Sequence, residues 1–208
     1  MKPLIVANWK MNPQTLKEAK LLFNRVKKTG GIICPPFVYL SALKANGAQD
    51  VFWEESGAFT GEISPLMLKN MGVRYVIIGH SERRKHQKET NEIISEKLKV
   101  ALKVGLKPIL CIDRVSQIPK NIKGLIIAYE PLFAIGTGKA CSPQRAEKMR
   151  LAINKAADRA PVLYGGSVNS QNAKSYIKEA GFQGLLVGGA SLKPREFIDI
   201  VKNVCYAK

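Results

Sequence analysis

The chain has 208 residues, with 33 Lys+Arg against 16 Asp+Glu, a net charge of +17 and 7% aromatic residues. That length suits one sizeable core. The cations are scattered over helix-like segments with no basic run interleaved with aromatics, so a solvated basic face is expected and no nucleic-acid partner. Cys34, Cys111, Cys141 and Cys205 stand far apart with no Cys-x-x-Cys pair or Cys/His cluster, and no apolar run nears the roughly 18 residues of a membrane span. Disulfides, a metal centre and a membrane partner are therefore not expected. The apolar stretch 4–7 is too short for a signal peptide, and a cytoplasmic location is expected.

Eight short apolar runs occupy 4–9, 31–34, 51–53, 75–79, 108–112, 125–129, 162–164 and 185–187. Most are continuous rather than alternating, the pattern of parallel strands covered on both faces. The first helix is expected over 15–28, with Leu16, Ala19, Phe23 and Val26 at helical spacing before Gly30. Another spans 93–104, with Ile93, Ile94, Leu98, Ala101 and Leu102 on one stripe before Gly105. Between the fifth and sixth strands only residues 113–123 remain, with Pro119 among them. A parallel crossover usually needs a dozen residues or more, so no helix beyond one turn is expected there. The barrel wall should be thin at that point, with another chain covering it through Ile118 and Ile122. Ser142-Pro143-Gln144 carries a hydroxyl cap and a proline in the first turn, and Ser170 and Pro194 open two further helices. The fold class is α/β. One domain over 1–208 is expected, a single eight-stranded β/α barrel with a shortened crossover between strands five and six. A doubly wound open sheet is the alternative, but no Gly-x-Gly-x-x-Gly follows the first strand to support its dinucleotide-binding form.

In such a barrel the carboxyl ends of the strands form the active face. They carry Asn8-Trp9-Lys10, Gly79-His80-Ser81-Glu82-Arg83, Glu130, Tyr164-Gly165-Gly166-Ser167 and Val187-Gly188-Gly189. Glu130 ends a buried apolar strand, and Pro131 begins an apolar segment that closes in Gly136-Thr137-Gly138, as suits a base beneath a closing lid. Each piece has a bland reading: Glu130 capping a strand, His80 a structural histidine, Lys10 a surface charge, the glycines ordinary turns. Their convergence on one rim favours a site, with glycine turns where barrels hold phosphate.

Asn8-Trp9-Lys10-Met11-Asn12, Gly57-Ala58-Phe59-Thr60-Gly61-Glu62, Gly79-His80-Ser81-Glu82-Arg83-Arg84, residues 128–138, Tyr164-Gly165-Gly166-Ser167-Val168 and Val187-Gly188-Gly189-Ala190-Ser191-Leu192 resemble the signature segments of triosephosphate isomerases. They occur in that family's order across nearly the whole chain. The resemblance implies interconversion of dihydroxyacetone phosphate and D-glyceraldehyde 3-phosphate through an enediolate, in glycolysis and gluconeogenesis, without cofactor or metal. In the family's own chemistry a glutamate is the base, a neutral histidine the electrophile, and a loop closes over both. Those roles fall on Glu130, on His80 and on the lid from 131 to about 140. Lys10 and Asn8 would meet the substrate oxygens together with Trp9. Glu82 would support Lys10, and Gly136, Ser167, Gly188 and Gly189 would hold the phosphate. The Thr60-Gly61-Glu62 loop implies a homodimer, with Glu62 reaching Arg83 of the other subunit. His86 has no such context and reads as solvated.

The resemblance also has departures. Asn154 and Gln183 stand where the family pairs Arg with Asp, so both charges are lost together. Phe133 and Arg114 replace a tryptophan and a glutamate that hydrogen-bond in the open lid. Tyr164 keeps a partner in the backbone near Cys141, and Ser167 one near Gly138. A lid biased toward closure, or more disordered when open, is expected. Rival readings are another phosphosugar enzyme on the same barrel, a basic nucleic-acid-binding protein, and a degenerate barrel kept as a binding module.

Overall fold

The computed structural model describes residues 2–206, in which parallel strands alternate with helices. The first half runs β1 (Leu4–Asn8), α1 (Leu16–Val26), β2 (Ile32–Cys34), α2 (Leu40–Leu43), β3 (Gly47–Ala48), α3 (Pro65–Asn70), β4 (Tyr75–Ile78), α4 (Ser81–His86) and α5 (Asn91–Lys103). The second half runs β5 (Lys107–Ile112), β6 (Ile126–Tyr129), α6 (Pro143–Ala156), β7 (Val162–Tyr164), α7 (Ala173–Lys178), β8 (Gly184–Val187) and α8 (Pro194–Cys205). All eight strands belong to one sheet in the order β2-β1-β8-β7-β6-β5-β4-β3, so β2 and β3 meet at the closing seam. Side-chain amides bridge that seam. Asn46 Oδ1 accepts the Ile33 N–H at 2.9 Å, and Gln49 Nε2 donates to the Cys34 carbonyl at 2.9 Å.

β3 corrects the expected third strand. The apolar run 51–53 lies beyond it, and the strand itself is Gly47–Ala48. A Cβ on Gly47 would stand 2.5 Å from Cys34 Sγ and 2.8 Å from Ile32 Cγ2, so the seam admits only the smallest residue. Hydrophobicity is a poor guide where strands close that tightly.

Helix starts follow their caps. Thr15 and Glu18 form a reciprocal capping box on α1, and Ser64 and Ser142 cap α3 and α6 ahead of Pro65 and Pro143. α7 begins later than expected. Asn169 Oδ1 accepts the N–H groups of Gln171 and Asn172, which makes a turn of the segment before Ala173.

Between β5 and β6 there is a single 3₁₀ turn, Val115–Gln117, and no α-helix, as the residue count and Pro119 predict. The expected bare wall is corrected, however. Val115, Ile118 and Ile122 pack on the outer core, and buried Gln117 accepts the Asp113 N–H at 2.9 Å. The segment covers the wall itself, and no other chain is needed there.

Asn154 and Gln183, where the resemblance implies an Arg–Asp pair, are satisfied unevenly. Gln183 Oε1 accepts the Val162 N–H at 2.8 Å and its Nε2 donates to the Gly181 carbonyl at 2.8 Å. Asn154 Oδ1 is buried without a partner among the described residues. No charge is stranded, but one amide oxygen is.

Beneath α4 lies a buried ionic cluster. Lys97 Nζ, on α5, donates to Asp50 Oδ2 at 2.7 Å and to Glu89 Oε1 at 2.5 Å, and Arg83 Nε reaches the same carboxylates at 2.8 and 2.6 Å. Replacing Lys97 by Met strands two buried carboxylates beside one remaining cation. We expect a loss of about 3–5 kcal/mol in urea unfolding; a change below about 1 kcal/mol would show that the cluster does not hold α5 to the barrel.

Candidate active site

Strand pleat decides what enters the barrel. Val6, Ile77, Cys111, Ala128, Leu163 and Leu186 belong to the inner layer, while Ala7, Ile78, Ile112, Tyr129, Tyr164 and Val187 belong to the outer one. Two residues beyond an inward position the next side chain again points inward. From Val6 and Ala128 that step gives Asn8 and Glu130. From Leu163 and Leu186 it gives Gly165 and Gly188. The same parity sends Trp9 outward. It is 0% exposed within the outer layer, so its side chain cannot touch a ligand and the expected substrate contact is corrected.

Glu130 is 4% exposed. Its Oε1 lies 3.3 Å from His80 Nε2, and its Oε2 is buried with no partner among the described residues. Gly165 makes room for it, since a Cβ there would stand 3.1 Å from Glu130 Cγ. Burial alone would raise the carboxyl pKa. His80, the Cys111 thiol and Lys10 oppose burial and hold it below the usual carboxylate range. For His80, burial disfavours the charged ring while Glu130 raises its pKa, and the balance lies upward. Its Nδ1 nevertheless accepts the Glu82 N–H at 3.2 Å, a bond only an unprotonated Nδ1 can make. Assigned from that bond, the ring is neutral and carries its proton on Nε2, toward Glu130.

Lys10 has φ +54°, a left-handed conformation costly for a side-chain-bearing residue. It is held from both sides: its N–H donates to Asn8 Oδ1 at 3.0 Å, and its carbonyl accepts Gln49 Nε2 at 2.8 Å. The strained turn brings Nζ to 2.5 Å from Glu82 Oε1. Gln49 was missed by the sequence reading; a polar residue just past an unrecognised strand was its only signal.

Asn8, Lys10, His80, Glu130, Gly136, Ser167, Gly188 and Gly189 all line one cavity of about 450 Å³. Ser167, at φ +49°, donates from Oγ to the Ala134 carbonyl at 2.7 Å. Its expected partner near Gly138 is thus corrected, because the serine grips the lid's first half and not its tip. Tyr164 behaves as expected, its hydroxyl accepting the Cys141 N–H at 3.0 Å. A Cβ on Gly166 would lie 2.8 Å from that hydroxyl, which accounts for the glycine. A second cavity of about 630 Å³ lies on the other flank of Glu130, beside Arg84, Arg114 and the short crossover. Arg114 and Phe133 do not meet as hydrogen-bonding partners: Arg114 is exposed, and the Phe133 ring lies under the Arg145 guanidinium. His86 is exposed, as expected. A carboxylate with a free oxygen, an imidazole N–H and an ammonium on one wall, facing glycine turns, can shift a proton beside a carbonyl while holding an anion.

A family model described as triosephosphate isomerase matches residues 3–204. The chain is 41% identical over 247 aligned positions to a protein named triosephosphate isomerase from Dehalococcoides mccartyi strain BAV1, covering 98% of this chain and 97% of that protein. It is 39% identical over 246 positions to the protein of that name from Dictyoglomus turgidum, covering 96% of this chain and 98% of the relative. It is 40% identical over 244 positions to another from Thermoanaerobacter sp. strain X514, with the same coverage of 96% and 98%. Fold, strand-end constellation and these relatives agree, and the chain belongs to the triosephosphate isomerase family.

Proposed function

We propose that this isomerase interconverts dihydroxyacetone phosphate and D-glyceraldehyde 3-phosphate through an enediolate, as a step of glycolysis and gluconeogenesis. The observation that carries the reading is the buried, unpartnered Oε2 of Glu130, on a residue that lines one cavity with His80 and Lys10. The contacts from His80, Cys111 and Lys10 keep the carboxylate ionised and able to accept a proton. In this cavity it is desolvated, and a carbon-bound proton can take the place of its missing partner. Glu130 takes that proton and returns it to the neighbouring carbon. His80 presents Nε2–H to the substrate oxygens, polarises the carbonyl and relays protons between them. Lys10 places fixed positive charge beside the developing enediolate, with Asn8 hydrogen-bonding the same end. Glu82 orients Lys10. The phosphate sits against Gly136, Ser167, Gly188 and Gly189; a Cβ on Gly188 would stand 3.6 Å from Lys10 Cε, so lysine and cradle adjoin. The reading calls for no metal or cofactor.

Glu130→Gln removes the base and keeps the shape. We expect kcat to fall about 10²-fold or more, while a phosphorylated substrate analogue still binds, since other strands hold the phosphate. Retention of over half the wild-type rate in a coupled glyceraldehyde 3-phosphate assay would overturn the mechanism.

The working unit in this reading is a homodimer in the cytoplasm. Met11 is 83% exposed, Val38 78% and Met67 61%, apolar side chains that a second copy would cover. Met11 also lines a groove with Lys10 and Arg83 that suits an incoming Thr60-Gly61-Glu62 loop. Arg83 Nε is engaged by Asp50 and Glu89 in its own chain, which leaves its two terminal nitrogens for Glu62 of a second copy. Four free cysteines, three of them buried, accord with a reducing compartment. No helix among the described residues is long and apolar enough to cross a membrane. Sedimentation equilibrium should give twice the 22.9 kDa chain mass, and Met11→Glu should shift it toward one. A monomeric wild type at micromolar concentration would remove the dimer.

A further inference from the structure

The lid is held at three points, and one of them has no counterpart in the family pattern described above. Its start forms a 3₁₀ turn, Leu132–Ala134, whose Ala134 carbonyl accepts from Ser167. Its end is fixed through Cys141, whose N–H donates to the Tyr164 hydroxyl and whose carbonyl accepts from the Tyr176 hydroxyl at 2.5 Å. Tyr164 and Tyr176 are stacked with centroids 3.7 Å apart, so this anchor is rigid. The third contact joins the two ends. Arg145 lies in the first turn of α6, its N–H on the Ser142 cap, and its guanidinium carbon is 4.9 Å from the centroid of the Phe133 ring. Phe133 is 46% exposed and cannot donate a hydrogen bond, so packing alone holds it weakly. Arg145 forms no salt bridge among the described residues; Tyr129 and Cys141 are the titratable groups it faces. Its charge is therefore free to sit on the ring face.

We propose that Arg145 is a positioning residue for the isomerase reaction, clamping the lid's first hinge through Phe133 to the first turn of the helix into which the second hinge runs. The clamp rests on the reading of residues 131–140 as the lid. It acts on Glu130 at one remove, because Glu130 and Pro131 lead directly into the turn that Phe133 occupies. With the first hinge tied to α6 and the second fixed just before it at Cys141, the two ends of the lid move together. Without the cation, the first hinge keeps the Ser167 bond to the Ala134 carbonyl but loses its tie to α6.

The test is a double-mutant cycle of Arg145→Gln and Phe133→Leu, read by amide hydrogen exchange over residues 132–138, which needs no substrate. Each single change should speed exchange about two- to fivefold, the range of one exposed cation–π contact. The double variant should be no faster than either, and Arg145→Lys should restore part of the protection. The melting temperature should stay put, because Ser142 still caps α6. In parallel, the dissociation rate of 2-phosphoglycolate should rise in step with exchange. Additive effects, unchanged exchange in Arg145→Gln, or a loss confined to α6 would each overturn the clamp. If the wild type neither isomerises triose phosphate nor binds 2-phosphoglycolate, the functional reading fails, while the exchange cycle still decides the clamp.

Discussion

The site depends on one constraint, the pleat of a parallel barrel whose interior is already full. Val6, Ile32, Cys34, Ile77, Ile109, Cys111, Ile126, Ala128, Leu163 and Leu186 fill the inside as one apolar cluster. Nothing polar can sink below it without stranding a charge. The next inward step on each strand is therefore the first place at which a carboxylate or an amide can stand. Asn8, Glu130, Gly165 and Gly188 occupy it. Convergence of function on one rim follows from this cluster rather than from any property of the functional residues themselves.

Strain is concentrated at that rim and restrained there. Lys10 and Ser167 both adopt left-handed backbone conformations that cost roughly 1–3 kcal/mol apiece. Each is pinned by hydrogen bonds from more than one element. Gln49, beyond β3, holds the Lys10 carbonyl, and Asn172 Nδ2 holds the Ser167 carbonyl at 3.1 Å. These restraints place an ammonium and a hydroxyl where relaxed strands would not carry them. Gly165 and Gly166 serve the opposite need, removing side chains so that Glu130 and the Tyr164 hydroxyl can enter the space.

Legibility in the sequence tracked the kind of force involved. Seven strands announced themselves as apolar runs because burial on both faces demands hydrophobicity, and the capped helices because a hydroxyl before a proline has few other uses. β3 stayed hidden because its determinant is steric: the seam needs Gly47, and glycine leaves no hydrophobic trace. That Glu130, His80 and Lys10 would share one cavity was readable from their place at strand ends. Trp9 was misread as a contact because a motif records neighbours in sequence, whereas the pleat separates neighbours onto opposite faces. The Ser167 partner and the Arg145 contact were out of reach, since both depend on where an irregular lid settles.

The same separation explains how the chain can be short without losing the site. The alignment with the Dehalococcoides protein runs to 247 positions against 208 residues, so at least 39 of them hold no residue of this chain. A crossover helix contributes apolar cover to the outer face of two strands, and nothing else in the barrel depends on its being helical. Between β5 and β6 three side chains, Val115, Ile118 and Ile122, supply that cover from a segment with a single 3₁₀ turn, and Gln117 satisfies the backbone at its start. The registers of β5 with β4 and with β6 remain parallel across the thinned wall, with Cys111 beside Ala128 and Ile112 beside Tyr129. Register fixes the height at which Glu130 emerges; the crossover fixes only what lies behind it. Trimming on the outside of the barrel is therefore decoupled from the rim, whereas a one-residue slip within β6 would turn Glu130 outward and Tyr129 into the cavity.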